Sequence, residues 1–241
     1  MLDVTGTDAR IKDVPRSKQA ARDWYDSLSG WYGTVVEPFE AEYTAAGLRM
    51  LDVGEGERVL ELAFGPGRAL VSLARAVGDA GHVSGLDVSR GMCTEADSLV
   101  RGSGFDARVD LVCGDATTLP FDDGAFDAVF TSFALELFDT PDIPVLLAEV
   151  GRVLDDGGRV GVVSLSRRNA GTMTHLYEAV HDLVPTYVDC RPIYVADALV
   201  EAGFTVRDAT LVTMWGLPVE IVVADGPRGS RIDADERETR E

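Results

Sequence analysis

Three carboxylates stand at or near the ends of short apolar runs, a pattern that sets fixed negative charge along one edge of a sheet. Glu61 lies in Val59-Leu60-Glu61-Leu62, Asp87 closes Gly85-Leu86-Asp87, and Asp115 follows Leu111-Val112-Cys113-Gly114. The first run leads straight into Ala63-Phe64-Gly65-Pro66-Gly67, where glycine lets the backbone approach a bound molecule closely. A strand, a glycine turn, a helix and a second strand ending in an acid together make a βαβ unit suited to an adenosyl group. Asp115 adds a carboxylate that can only accept hydrogen bonds, which fits the exocyclic amine of adenine.

The spacing also discriminates between adenosyl cofactors. A dinucleotide requires three glycines, because its pyrophosphate presses on the helix N-terminus and the helix packs tightly on its strand. Gly65 and Gly67 supply two, but the third position is Leu70. Glu61, placed just before the turn, suits a cationic ammonium better than a pyrophosphate. S-adenosylmethionine carries an ammonium and a sulfonium and has no phosphate.

The elements that must position these groups alternate along the chain. Residues 1–16 are polar and without periodicity and are expected to form a flexible arm. Helices are predicted over Ser17–Leu28 and Pro38–Leu51, then strand Arg58–Leu62, helix Gly67–Val77, strand Val83–Leu86, helix Gly91–Arg101 and strand Ala107–Cys113. After the Asp123-Gly124 turn come strand Ala125–Thr131, helix Ile143–Leu154, a turn at Asp155-Asp156-Gly157-Gly158, and strand Arg159–Leu165. Helix Val195–Ala202 precedes two strands, Phe204–Val212 and Val219–Ala224, separated by Trp215-Gly216-Leu217-Pro218, which read as an antiparallel hairpin. The expected fold is α/β: a Rossmann-like, seven-stranded, mostly parallel sheet with helices on both faces and a C-terminal antiparallel strand. One domain is expected over residues 17–224, with residues 225–241 a disordered charged tail.

From Trp24 to Ala224 the chain resembles the class I S-adenosylmethionine-dependent methyltransferases, most of all the ubiquinone and menaquinone biosynthesis C-methyltransferases. The glycine turn, Asp87, Gly114-Asp115-Ala116 and Leu119-Pro120-Phe121 occur in that family's order, and Leu154-Asp155-Asp156-Gly157-Gly158 resembles its Leu-Lys-Pro-Gly-Gly turn. Ala63 stands where the family commonly has its first glycine, and Phe64 where it commonly has a small residue or cysteine. The resemblance implies that Glu61 holds the methionine end through the turn formed by Ala63, Phe64, Gly65 and Gly67. It implies further that Asp87 accepts the ribose hydroxyls, Val88 and Met92 flank the adenine, and Asp115 and Ala116 meet its amino edge. Thr131, Ser132 and Phe133 would line the methyl donor, and Tyr25 and Tyr32 would close over the cofactor.

Methyl transfer is an in-line displacement that needs positioning and exclusion of water more than an acid–base pair. Candidate catalytic groups are therefore few: Glu136, where the acceptor pocket should begin, and His175 or His181 as a general base, against an ordinary packing role for each. The apolar and aromatic stretch Leu183–Tyr194 suits a planar or lipid-like acceptor, with Arg191 either pairing an acidic substituent or making a structural salt bridge. The expected function is methylation of a small, hydrophobic or quinone-like acceptor. Competing readings are N- or O-methylation of a lipid head group or metabolite, a non-catalytic module that holds the cofactor if Phe64 fills the methionine pocket, and a nucleotide-dependent oxidoreductase.

Composition bounds the partners. A formal charge of −19, with Lys12 and Lys18 the only lysines, argues against nucleic acid as substrate, since phosphate backbones require a basic surface. The same acidity points to a high-salt cytoplasm, where screening suppresses self-repulsion. No membrane insertion or secretion signal is expected, no metal site is indicated, and a homodimer is compatible with the composition. Cys93, Cys113 and Cys190 are far apart in sequence and read as free thiols.

Overall fold

The computed structural model describes residues 37–171, 174, 177 and 191–227. The expected helix Ser17–Leu28, Tyr25, Tyr32, His175, His181 and most of Leu183–Tyr194 lie outside the described residues.

The alternation of apolar positions sets the layers. In β1 (Arg58–Leu62), Val59 packs into one core cluster while Leu60 and Leu62 enter the other, because successive side chains leave a strand on opposite faces. β2 (His82–Asp87), β3 (Val109–Cys113), β4 (Phe126–Ser132) and β5 (Leu154–Leu165) join β1 in parallel. The first cluster is covered by α1 (Glu37–Leu51), α2 (Arg68–Ala76) and α3 (Arg90–Gly102). The second is covered by α4 (Asp142–Val153) and α5 (Val195–Glu201).

β6 (Thr205–Met214) and β7 (Leu217–Asp225) complete the sheet in the order β3-β2-β1-β4-β5-β7-β6, with β7 antiparallel to both neighbours. Trp215 and Gly216, at φ 52° and 85°, form the two-residue hairpin turn. β7 runs through Asp225, and Gly226 donates to the Gly158 carbonyl at 2.9 Å, so ordered chain continues beyond the boundary expected at Ala224. The Asp155–Gly158 turn is a bulge within β5: Phe126 pairs with Leu154, and two residues later Ala128 pairs with Arg159.

The strand order reverses between β1 and β4. Chains leaving these two strands diverge to opposite sides and open a crevice at their C-terminal ends, the place where open α/β sheets bind ligands.

Candidate active site

The crevice is a cavity of about 320 Å³. Its floor is the turn after β1, which the sequence twists into left-handed backbone. Ala63, Gly65 and Gly67 have φ of 52°, 54° and 93°, and the Ala63 N–H donates to the Leu86 carbonyl at 2.7 Å. Gly67 is also the N-cap of α2, and a Cβ there would stand 2.8 Å from that of Ala96, so the glycine permits α2 and α3 to close together. Gly65 differs: a Cβ there would meet nothing within 4 Å, and the backbone fronts open space.

Phe64 does not fill this space as a plug. Its ring turns against Gly85 of β2, where a Cβ would come within 2.7 Å of Cδ1, and joins Leu70 in the core beneath the turn. A glycine in the middle of β2 thus makes room for the phenylalanine. Leu70, which displaces the third glycine of a dinucleotide turn, is fully buried on the same glycine.

The carboxylates are fixed by backbone. Asp87 is 6% exposed; one oxygen accepts the Gly65 N–H at 3.0 Å and the other the Ser89 N–H at 2.8 Å, tying the glycine turn to the loop entering α3. Ser89 then caps α3 by accepting from the Met92 N–H at 3.1 Å. Asp115 accepts the Thr117 N–H at 2.9 Å and its hydroxyl at 2.8 Å. Asp87 and Asp115 line the cavity with Glu61, Val88, Met92 and Ala116, and Ser132 and Phe133 close it from the end of β4. The sequence-predicted residues Ala63, Phe64 and Gly65 line it too.

Three expected positions fall elsewhere. Thr131 is buried in β4, between Leu62 and Val162, and is not part of the cavity wall. Gly67 acts behind the wall through its contact with α3. Glu136 is fully buried, with Oε1 accepting the Leu165 N–H at 3.1 Å; it anchors the segment after β4 to the end of β5 and does not face the cavity. Arg191 likewise serves the fold. It is 3% exposed and donates to the Thr140 hydroxyl at 2.9 Å and to the Phe138 carbonyl, a structural role made by hydrogen bonds to neutral oxygens.

The sequence reading missed one whole wall. Ala41, Thr44, Ala45 and Leu48 of α1 face the cavity, and Leu137, Phe138, Asp139 and Asp142 extend it beyond Phe133. The spacing of 41, 44, 45 and 48 is the stripe of a helix face and could have been read as a contact surface. Phe133 has φ 51° and stacks edge-on with Tyr43 at 6.5 Å, while the Tyr43 hydroxyl donates to the Thr213 carbonyl at 3.0 Å. That tyrosine fastens the helix wall to β6.

The geometry fits an adenosyl ligand with an amino-acid tail: a fixed carboxylate at the end of β2, a second after β3, a third beside an exposed left-handed turn. A methyltransferase-domain family model matches residues 59–158, the stretch from β1 to the β5 bulge. Demethylmenaquinone methyltransferase of Lactobacillus johnsonii is 34% identical over 139 residues, covering 58% of this chain and 56% of its own. Aklanonic acid methyltransferase DauC of Streptomyces sp. is 33% identical over 178 residues, covering 73% of this chain and 77% of its own. Among solved structures, the [4+2]-cyclase SpnF superposes with TM-score 0.72 at 20% identity, over 91% of this chain and 99% of its own, which speaks to the fold. The chain belongs to the class I S-adenosylmethionine-dependent methyltransferases. It spans about half the length of the demethylmenaquinone methyltransferases it matches.

Among the described residues, no helix is long and apolar enough to cross a membrane, and no group of three or more His, Cys, Asp or Glu side chains could hold a metal ion.

Proposed function

We propose that this chain transfers a methyl group from S-adenosylmethionine to a small, hydrophobic, quinone-like acceptor. One observation carries the reading: a single cavity runs from the carboxylates and left-handed turn at β1–β3 to an apolar wall formed by Ala41, Ala45, Leu48, Leu137 and Phe138. Relatives named for demethylmenaquinone and for 2-phytyl-1,4-naphtoquinone support an acceptor of that kind.

The cofactor supplies an electrophilic methyl on a sulfonium. In this reading Asp87 accepts the ribose hydroxyls, its two oxygens already oriented by the Gly65 and Ser89 amides. Asp115 and Ala116 meet the adenine edge, Val88 and Met92 flank the ring, and Glu61 with the Ala63–Gly65 turn takes the ammonium. Phe64 supports the turn from below. The α1 wall and Phe133 exclude water and hold the acceptor's nucleophilic atom in line, where orientation supplies most of the rate. Carbon methylation leads; N- or O-methylation of a metabolite uses the same positioning. We further propose that the enzyme works as a soluble protein of a salt-rich cytoplasm without a nucleic-acid partner, on the ground of its −19 charge.

Calorimetric titration with S-adenosylhomocysteine and with NADH, in molar salt and in dilute buffer, tests the cofactor. Binding of the first alone is expected, and NADH binding overturns the reading. Incubation with S-adenosylmethionine and reduced 1,4-naphthoquinones lacking a ring methyl should add one methyl by mass. Cofactor binding with no transfer to any quinone sinks the acceptor assignment and leaves N- or O-methylation of another metabolite or a binding module. Full stability in dilute buffer would remove the salt-rich environment.

A further inference from the structure

Two thiols far apart in sequence meet beside the adenine end of the cavity. Cys93 lies in the first turn of α3, next to Met92, and Cys113 ends β3, immediately before Gly114; Met92 and Gly114 both line the cavity. Cys113 is paired with Asp87 across the β2–β3 ladder. The Cys93 thiol points at the Asp87 carbonyl, 3.8 Å away, and the Cys113 thiol at the next carbonyl, Val88, at 3.7 Å. Carbonyls of two consecutive residues, Asp87 and Val88, thus hold the two sulfurs along one short stretch of backbone. Cys113 is exposed and Cys93 half-buried, and both are free.

We propose that Cys93 and Cys113 are a peroxide-sensitive dithiol whose disulfide draws together the two loops of the adenine subsite and weakens cofactor binding. The effect on the cofactor rests on the function proposed above; the pairing of the thiols does not.

The chemistry balances with hydrogen peroxide as oxidant. The Cys113 thiol gives up its proton, its sulfur attacks one peroxide oxygen, the O–O bond breaks, and a sulfenic acid forms while the departing hydroxide takes up that proton and leaves as water. The Cys93 sulfur then attacks the sulfenic sulfur, expels the second water, and closes the S–S bond, so two thiols are oxidised and one peroxide is reduced to two waters. The order follows from the surroundings. Cys113 is exposed and meets the oxidant first, while Cys93 is half-buried and burial above all pushes its thiol up in pKa, which makes it the slower to react with peroxide.

A covalent S–S bond is shorter than a thiol–thiol contact by more than about 1 Å. That contraction falls on Met92 and Gly114, because each is the chain neighbour of one cysteine. The β2–β3 ladder holds Cys113 in register with Asp87, so the first turn of α3 takes most of the movement.

The test uses the full chain, reduced and then treated with hydrogen peroxide that catalase afterwards removes. Of the three cysteines in the sequence, two should become unreactive to a thiol reagent, with recovery on adding dithiothreitol. S-adenosylhomocysteine affinity should fall by about tenfold or more, on the scale expected for ångström-level misplacement of a binding group. Cys190→Ser should respond as the parent does. Cys113→Ser should form no disulfide and show the same affinity with and without peroxide. Loss of the Cys113 thiol alone to higher oxidation states overturns the pairing, and a disulfide with unchanged affinity overturns the switch. A reduced protein that binds no S-adenosylhomocysteine sinks the cofactor reading, while the thiol count still decides whether the pair forms.

Discussion

The N-terminal ends of the parallel strands and the cavity wall at their opposite ends hold their charges by different means. At the N-terminal end arginines do the holding. Arg159 donates to Glu57 at 2.9 Å and to the carbonyls of Leu51 and Asp52 at 2.6 and 2.7 Å; Arg58 bridges Asp127 and Asp155 at 2.7 and 3.3 Å. Arg152 joins Glu149 and Asp123, both at 2.8 Å, to the Leu119 and Phe121 carbonyls. At the C-terminal end Arg168 still pairs Glu220 at 3.0 Å beyond β5, but the acids of the cavity wall, Asp87 and Asp115, accept from amides and a hydroxyl. An amide fixes a carboxylate without cancelling its charge, which suits the acceptor roles proposed above for Asp87 and Asp115. The chain is poor in cations, and it places several of them where they lock elements together.

Breaking the arginine end should cost the most stability. Arg159→Ala strands two carbonyls and a carboxylate in a largely buried site, and chemical denaturation should show a loss of about 3–5 kcal/mol. The folded fraction should keep its affinity for S-adenosylhomocysteine, because none of these groups reaches the cavity. Asp87→Ala should do the reverse. With charged hydrogen bonds contributing about 1.5–3 kcal/mol each, calorimetry should find affinity lowered by roughly 100-fold, with a smaller stability loss than in the arginine variant. Comparable stability losses with unchanged affinity in both would erase the distinction between the ends.

Acid titration sharpens the contrast. Hydrogen bonds from Arg152 hold the Glu149 carboxyl below its ordinary range against an opposing cost of burial, and Arg58 does the same for Asp127. The folded protein therefore takes up these protons later than the unfolded chain. Their stabilisation is complete above the ordinary carboxylate range and is lost as pH falls below about 4. Relief of acidic self-repulsion acts in the opposite sense, so the difference between variants is the useful measurement: Glu149→Gln should have a shallower acid limb than the parent. Parallel limbs would show that the pair contributes nothing.

The smallest effect belongs to the ligand end. Ala63 sits at φ 52°, which costs an ordinary residue about 1–2 kcal/mol, while glycine forfeits about 0.4–1 kcal/mol through the unfolded state. Ala63→Gly should raise the unfolding free energy by roughly 0.5–1 kcal/mol. A decrease would mean that the alanine methyl supports the turn.

Much of this was legible in the sequence. Arg58–Leu62 was readable to the residue, because a short apolar run bounded by turn signals admits few alternatives, and the acids at the ends of β1 and β2 followed from it. The final hairpin was readable from Trp215-Gly216. What escaped depends on distance in the chain. Phe64 looked capable of blocking the pocket because nothing local says that Gly85, on another strand, leaves space for its ring. Glu136 looked exposed to the acceptor because the N–H it meets belongs to Leu165. The stripe of α1 marks a contact surface but not what it faces, and nothing local sets Cys93 beside Cys113: both placements are made by elements that only the sheet order brings together.

The placement of β7 carries a consequence for how this protein is made. Eight of its nine residues are buried, and it lies between β5 and β6, although it follows the other six strands of this sheet in the chain. Until residue 225 has left the ribosome, β5 presents an unpaired edge and β6 has no neighbour, so the nascent chain carries a β-strand template open to wrong partners. The sheet closes from the inside, by late insertion, and the time between synthesis of β5 and of β7 is the interval in which this chain most needs protection from aggregation.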